Sequence, residues 1–154
     1  MEKELDFTRN YLRILECMND NIYPCDIRCD HKLDQFEIPP LLIQTFVENS
    51  IKHAITPDGG WRIQIVVAPF DDGPEDFAEI IIKDSGPGFD GDTIKRFNSG
   101  AFKNSSSGYH IGIQNAIARL KMFYGDHARV IFSNVPSHGA CVQIIIPYRQ
   151  EEPQ

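Results

Sequence analysis

Apolar and polar positions change period several times along this 154-residue chain, and each change predicts an element. From Glu2 to Asn19, Leu5, Leu12, Ile14 and Leu15 recur among charges, which predicts a helix with a partly regular apolar face. Tyr23 to Cys29 predicts a strand. Pro39-Pro40 predicts the opening of a helix running to about Ile55, because proline is tolerated in a first turn, and Thr56-Pro57-Asp58-Gly59-Gly60 predicts its stop. Ile63, Ile65 and Val67 alternate with Arg62 and Gln64 as a strand with one wetter face, and a loop from Pro69 to Asp76 leads into a second strand, Phe77 to Lys83. Within it Ile80-Ile81-Ile82 is apolar on both faces, as in the middle of a sheet. Asp90 to Phe97 predicts a short helix, and Asn98 to Gly108 a flexible polar loop. Ile111 to Tyr124 predicts a helix whose apolar stripe is Ile113, Ala116, Ile117, Leu120, Phe123 and Tyr124. Arg129 to Asn134 and Ala140 to Pro147 predict a hairpin-like strand pair around Pro136 to Gly139, and Gln150 to Gln154 a tail.

Composition narrows this to one domain. With 42% hydrophobic and 10% aromatic residues the chain can bury a real core, and a formal net charge of -7 supplies no basic stripe for nucleic acid. The four cysteines, Cys17, Cys25, Cys29 and Cys141, show no CxxC pairing, so neither a disulfide framework nor a structural zinc is signalled. An extended Tyr23 to Cys29 puts Cys25 and Cys29 on one face, as a half-buried strand does. No signal peptide is recognisable and no apolar run approaches the ~20 residues of a membrane span. The expectation is a soluble, cytoplasmic chain without membrane contact.

Three segments carry candidate chemistry. On the helix opened by Pro39-Pro40, Leu42, Ile43, Phe46, Val47, Ser50, Ile51 and Ala54 fill one half of the wheel at ~100° per residue. Thr45, Glu48, Asn49, Lys52 and His53 form a polar arc on the other half, with Asn49 and His53 at the border of the apolar face, where a cleft wall would be. An amide oxygen at Asn49 suits magnesium, Lys52 a terminal phosphate, and Glu48 proton acceptance or the orientation of water. The same arc is also what a solvated helix face presents.

The second segment, Asp84-Ser85-Gly86-Pro87-Gly88, follows the apolar strand. A carboxylate at a strand end can accept from the amino group of adenine, and Gly86 and Gly88 let the backbone turn close to a ring and sugar; a plain strand-end turn reads the same way. The third segment sets Gly108 and Gly112 around a helix start, where free N–H groups favour phosphate, with Lys103 and serines in the loop ahead. A glycine-capped helix is its ordinary alternative. No GxxxxGK[ST] occurs, which excludes a P-loop.

In order and spacing the three segments resemble the boxes of the GHKL superfamily of ATP-binding domains. Ile38-Pro39-Pro40-Leu41-Leu42-Ile43-Gln44, Val47-Glu48-Asn49-Ser50-Ile51-Lys52-His53-Ala54, Gly112-Ile113-Gln114-Asn115, Arg119-Leu120 and Tyr124-Gly125 are similar to LytS-like sensor histidine kinases. That resemblance implies a Bergerat-type α/β (α+β) two-layer sandwich, a mixed sheet with helices on one face, that binds ATP and Mg2+ under a mobile lid. It implies a connector helix over 1–21, a histidine-kinase-like ATPase domain over 22–149 and a tail over 150–154. Asn49 corresponds to the magnesium position, Glu48 to the adjacent acid, and Lys52 and His53 to positions near the phosphates. Asp84 corresponds to the adenine-reading aspartate, with Gly86 and Gly88 its glycines. Lys103, Gly108, His110, Ile111 and Gly112 fall in the lid and the second glycine box. His110 replaces a glycine common in relatives, and Ala140 a threonine.

None of the five histidines, His31, His53, His110, His127 and His138, lies in the N-terminal helix. The resemblance therefore implies a catalytic fragment that is monomeric alone. Its partners would be its own dimerisation and phosphoacceptor domain within a homodimeric membrane receptor, and a response regulator. A serine kinase of the anti-sigma type and a degenerate nucleotide-sensing or protein-interaction module are the alternatives.

Overall fold

The computed structural model describes residues 1–19, 22–54, 61–71, 76–101 and 111–148, leaving out the side chains of residues 54 and 71. The expected helix stop at Thr56 to Gly60, most of the loop from Asn98 to Gly108, and the C-terminal tail lie outside these residues. The described elements are helix α1 (Glu2–Asn19), strand β1 (Cys25–Cys29), helix α2 (Leu42–Ala54), strands β2 (Ile63–Asp71) and β3 (Asp76–Asp84), helices α3 (Gly91–Asn98) and α4 (Ile111–Tyr124), and strands β4 (Arg129–Asn134) and β5 (Ala140–Pro147).

The five strands form one mixed sheet in the order β1-β2-β3-β5-β4. β1 runs parallel to β2, and every other neighbouring pair is antiparallel. The expected mixed sheet with helices on one face is what the chain forms. Ile63, Ile65 and Val67 of β2, Ala78, Ile80 and Ile82 of β3, and Val142, Ile144 and Ile146 of β5 are buried beneath α2 and its neighbours. On α2 the covering residues are Leu42, Ile43, Phe46 and Val47, none more than 1% exposed. Each such side chain contributes about 1.5–3 kcal/mol by leaving water.

Four expectations change. β3 is the middle strand, yet Ile81 is only half-buried, because the second face of the sheet carries no helix among the described residues. There Ile81 pairs in register with Val66 and Gln143. The strands also run through the expected loop: Pro69 pairs with Ala78 and Asp71 with Asp76. Ile63 donates to the Pro24 carbonyl and the Val67 carbonyl accepts from Asp30, so alternate residues of β2 turn their polar groups toward β1. Pro69 is the next on that side and lies beyond the last β1 pairing, Cys29 with Val67, so its missing N–H costs no ladder bond.

Third, α2 starts at Leu42 rather than at the prolines, because Leu41 adopts φ 59°, a left-handed conformation that breaks the helix. The stripe of α4 is narrower than its sequence pattern, with Phe123 66% exposed while Ile113, Ala116 and Leu120 are buried.

Candidate functional site

Asp84 ends β3 with its side chain drawn into the fold, the residue being 7% exposed. A carboxylate there needs donors, and Oδ1 receives two, the N–H of Gly86 at 2.9 Å and of Ala140 at 3.1 Å. Oδ2 has no hydrogen bond among the described residues. Asp84 lines a cleft of about 220 Å³ together with Asn49, Ser50 and His53 from α2. The facing wall is Pro87, Gly88, Phe89, Asp90 and Thr93, with Ala140 closing one side.

Local sequence explains the wall. Asp90 caps α3, its carboxylate accepting the Thr93 N–H at 2.9 Å and the Thr93 hydroxyl at 2.6 Å. Those bonds, the side-chain one first, hold the Asp90 pKa below its ordinary 3.8. Gly88 sits at φ 80°, and a Cβ on it would lie 2.7 Å from Asn134 Oδ1. Gly139 sits at φ 116°, where a Cβ would fall 1.8 Å from the Asp84 carbonyl oxygen. The turn between β4 and β5 must therefore be bare for its backbone to lie against Asp84.

The polar arc of α2 divides. Asn49, half-buried, and His53, exposed, line the cleft one turn apart. The Asn49 amide has no hydrogen bond among the described residues. Glu48 accepts from Gln44 Nε2 at 2.9 Å and is outside the lining. Its charge reaches Tyr11 of α1, whose pKa is raised first by burial, then by Glu48 and Tyr23. Lys52 is exposed and also outside the lining.

Gly86 is buried and acts through its N–H. Gly112 lies in the first turn of α4, where a Cβ would be 3.4 Å from Thr45 Cγ2. Thr45 precedes Asn49 by one turn, so the start of α4, with Ile111 exposed, packs on the side of α2 that carries Asn49. Lys103, Gly108 and His110 lie outside the described residues.

Sequence reasoning passed over Phe89, Thr93, Asn134, Gly139 and the backbone N–H of Ala140 as contributors. The spacing Asp90-x-x-Thr93 was a readable capping signal, whereas Asn134 and Gly139 act through neighbours distant in sequence.

Residues 39–150 match the family described as "Histidine kinase-, DNA gyrase B-, and HSP90-like ATPase", and the chain belongs to it. Among curated relatives it is similar to the sensor histidine kinase/phosphatase LytS of Staphylococcus aureus, for instance of strains Mu50 and N315. The identity is 29% over 153 residues, 99% of this chain and 25% of the relative. The chain thus spans about a quarter of the length of the curated relatives it matches.

Solved structures share the fold. The catalytic domain of histidine kinase ThkA, in a nucleotide-free form, superposes with a TM-score of 0.60 at 14% identity over 92% of this chain and 91% of that one. The mycobacterial sensor histidine kinase MprB gives 0.58 at 16% over 93% of both chains. The kinase domain of a blue-light activated histidine kinase from Erythrobacter litoralis gives 0.58 at 12% over 92% of this chain and 59% of that one.

Proposed function

We propose that this chain binds ATP with magnesium in the cleft floored by Asp84, and presents the γ-phosphoryl group to a histidine on the dimerisation domain of a sensor kinase. One observation carries the reading: Asp84 Oδ1 is pinned by two backbone N–H groups, which leaves Oδ2 as the acceptor for an adenine amino group. Asn49, an amide without a partner among the described residues on the same cleft, fits the oxygen-donor preference of magnesium. Magnesium bound there would neutralise charge on the phosphates. His53 and Lys52 extend the phosphate end, and the first N–H groups of α4, beside Thr45, add donors to it. By the family resemblance, Lys103, Gly108, His110, Ile111 and Gly112 belong to the lid and second glycine box, which would complete that end.

Glu48 would accept a proton from the attacking imidazole or orient it. The likeness to LytS supports a phosphoacceptor domain and a response regulator as partners, a homodimeric parent and a parent in the membrane. The helix α1 would then be the connector to that acceptor domain. No described helix is long and apolar enough to cross a membrane. A nucleotide-binding module that transfers nothing is the second reading, favoured by Lys52 and Glu48 standing outside the cleft lining.

Labelled ATP, magnesium and an acceptor domain supplied in trans separate the two. Label on the acceptor histidine, lost in Glu48→Gln while ATP binding persists, supports transfer. ATP binding without any labelling sinks it in favour of the module.

A further inference from the structure

Two carboxamides stitch α3 and the segment before it to the edge of the sheet. Asn134, at the end of β4, accepts the Phe89 N–H at 2.8 Å through Oδ1 and donates through Nδ2 to the Phe89 carbonyl at 2.8 Å. Asn98, at the end of α3, holds Phe132 the same way, accepting its N–H at 2.8 Å and donating to its carbonyl at 2.8 Å. β4 is an edge strand, so the Asn98 amide stands where a further strand would pair.

The two grips differ in what they hold. Phe89 lies between Gly88 and Asp90, and all three line the cleft that contains Asp84, whereas Phe132 is buried and outside that lining. Apart from the Asn134 pair, the backbone of Pro87, Gly88 and Phe89 makes no hydrogen bond among the described residues. The Phe89 ring rests on Phe132 and Phe97, with centroids 5.8 and 6.1 Å away. That packing places the ring but leaves the peptide planes free to turn. A Cβ at Gly88 would meet the Asn134 amide oxygen, so the bare Gly88 and the amide of Asn134 fit one another.

We propose that Asn134 is a positioning residue for the nucleotide: its carboxamide fixes the Gly88–Asp90 wall before the base end arrives. The inference rests on the reading of the cleft as an ATP site. Without the grip, three residues of backbone must be ordered at the moment of binding, a cost that appears directly as lost affinity. Asn98 is its internal control, an identical grip on residues that do not touch the cleft.

The test compares Asn134→Ala with Asn98→Ala by displacement of a fluorescent ATP analogue, with Tm measured alongside. The expected result is a Kd for ATP and for ADP raised by the same factor, about tenfold or more, in Asn134→Ala. Asn98→Ala should lower Tm at least as far and leave both Kd values within about twofold of wild type. If Asn134→Ala does not fold, Asn134→Asp gives the same comparison. It keeps the acceptor for the Phe89 N–H and sets a carboxylate against the Phe89 carbonyl.

Unchanged affinity in the folded variant overturns the positioning role while the ATP reading stands. An equal loss in Asn98→Ala also overturns it, since affinity would then follow stability alone. Absence of ATP binding by the wild-type protein overturns both readings.

Discussion

Glu4 caps a helix whose first residues lie nearly forty positions away. Its Oε1 accepts the N–H of Ile43 at 2.9 Å and its Oε2 the N–H of Leu41 at 2.9 Å. The carboxylate is on α1, the orphan donors are at the start of α2, and the first turn of α2 has no acidic residue of its own. From the other side α4 holds the same approach: Arg119 donates to the Pro40 carbonyl and the Tyr124 hydroxyl to that of Glu37 at 3.2 Å. The helix that bears Asn49 and His53 thus begins in a joint made by two other helices.

Glu4→Ala should destabilise the fold by about 2 kcal/mol, because one buried and one part-buried N–H group lose their shared acceptor. Glu4→Gln keeps one acceptor oxygen and should cost about half as much. Urea unfolding checks both, and equal stability of wild type and Glu4→Ala would show that water replaces the carboxylate.

Asp84→Asn should fold and bind ATP at least about tenfold more weakly. The amide oxygen can still accept from Gly86 and Ala140, but the NH2 group then faces the amino group it is meant to accept from. Calorimetry with ATP and magnesium reads the loss, and an unchanged Kd would remove Asp84 from the base-binding role.

Gly139→Ala should fail to accumulate as folded protein, or lose at least about 3 kcal/mol. Its Cβ would lie 1.8 Å from the Asp84 carbonyl oxygen in a backbone conformation at φ 116°. Gly125→Ala, also at positive φ but with open space around it, is the milder comparison, expected to cost about 1 kcal/mol. Thermal melts of the two should separate clearly.

Burial first, and then Asp26, push the Cys25 thiol from its ordinary 9.0 up to about 11. The folded state therefore holds this proton more tightly than the unfolded one. The stability it contributes is complete below pH 9.0 and lost as pH rises through about 11. Cys25→Ala should flatten that alkaline limb in urea titrations across the window. In the wild-type protein near pH 8, an alkylating reagent should label exposed Cys17 well before Cys25.

Much of the fold was legible because periodicity and punctuation coincide. The limits of α4, β4 and β5 follow from an apolar period of 3.6 or 2 ended by Gly125, Pro136 or Pro147. The start of α2 was not legible, because Glu4 and the φ of Leu41 set it and neither appears in the local pattern. On the helical wheel Asn49 and His53 stood at the border of the apolar face, and these two residues of the arc line the cleft. The roles of Asn134 and Gly139 stayed hidden for a different reason. Each acts on backbone about fifty positions away, where a single sequence carries no trace of the contact.

The bond from the Ala140 N–H to Asp84 spans 56 positions, and the Asn134 pair with Phe89 spans 45. Neither can exist until β5 has closed onto β3 and β4 has joined the edge. The cleft consequently exists only where β3, β5 and β4 are already paired. A small molecule that occupies it recognises the finished sheet, and its affinity is returned as resistance of the whole domain to unfolding.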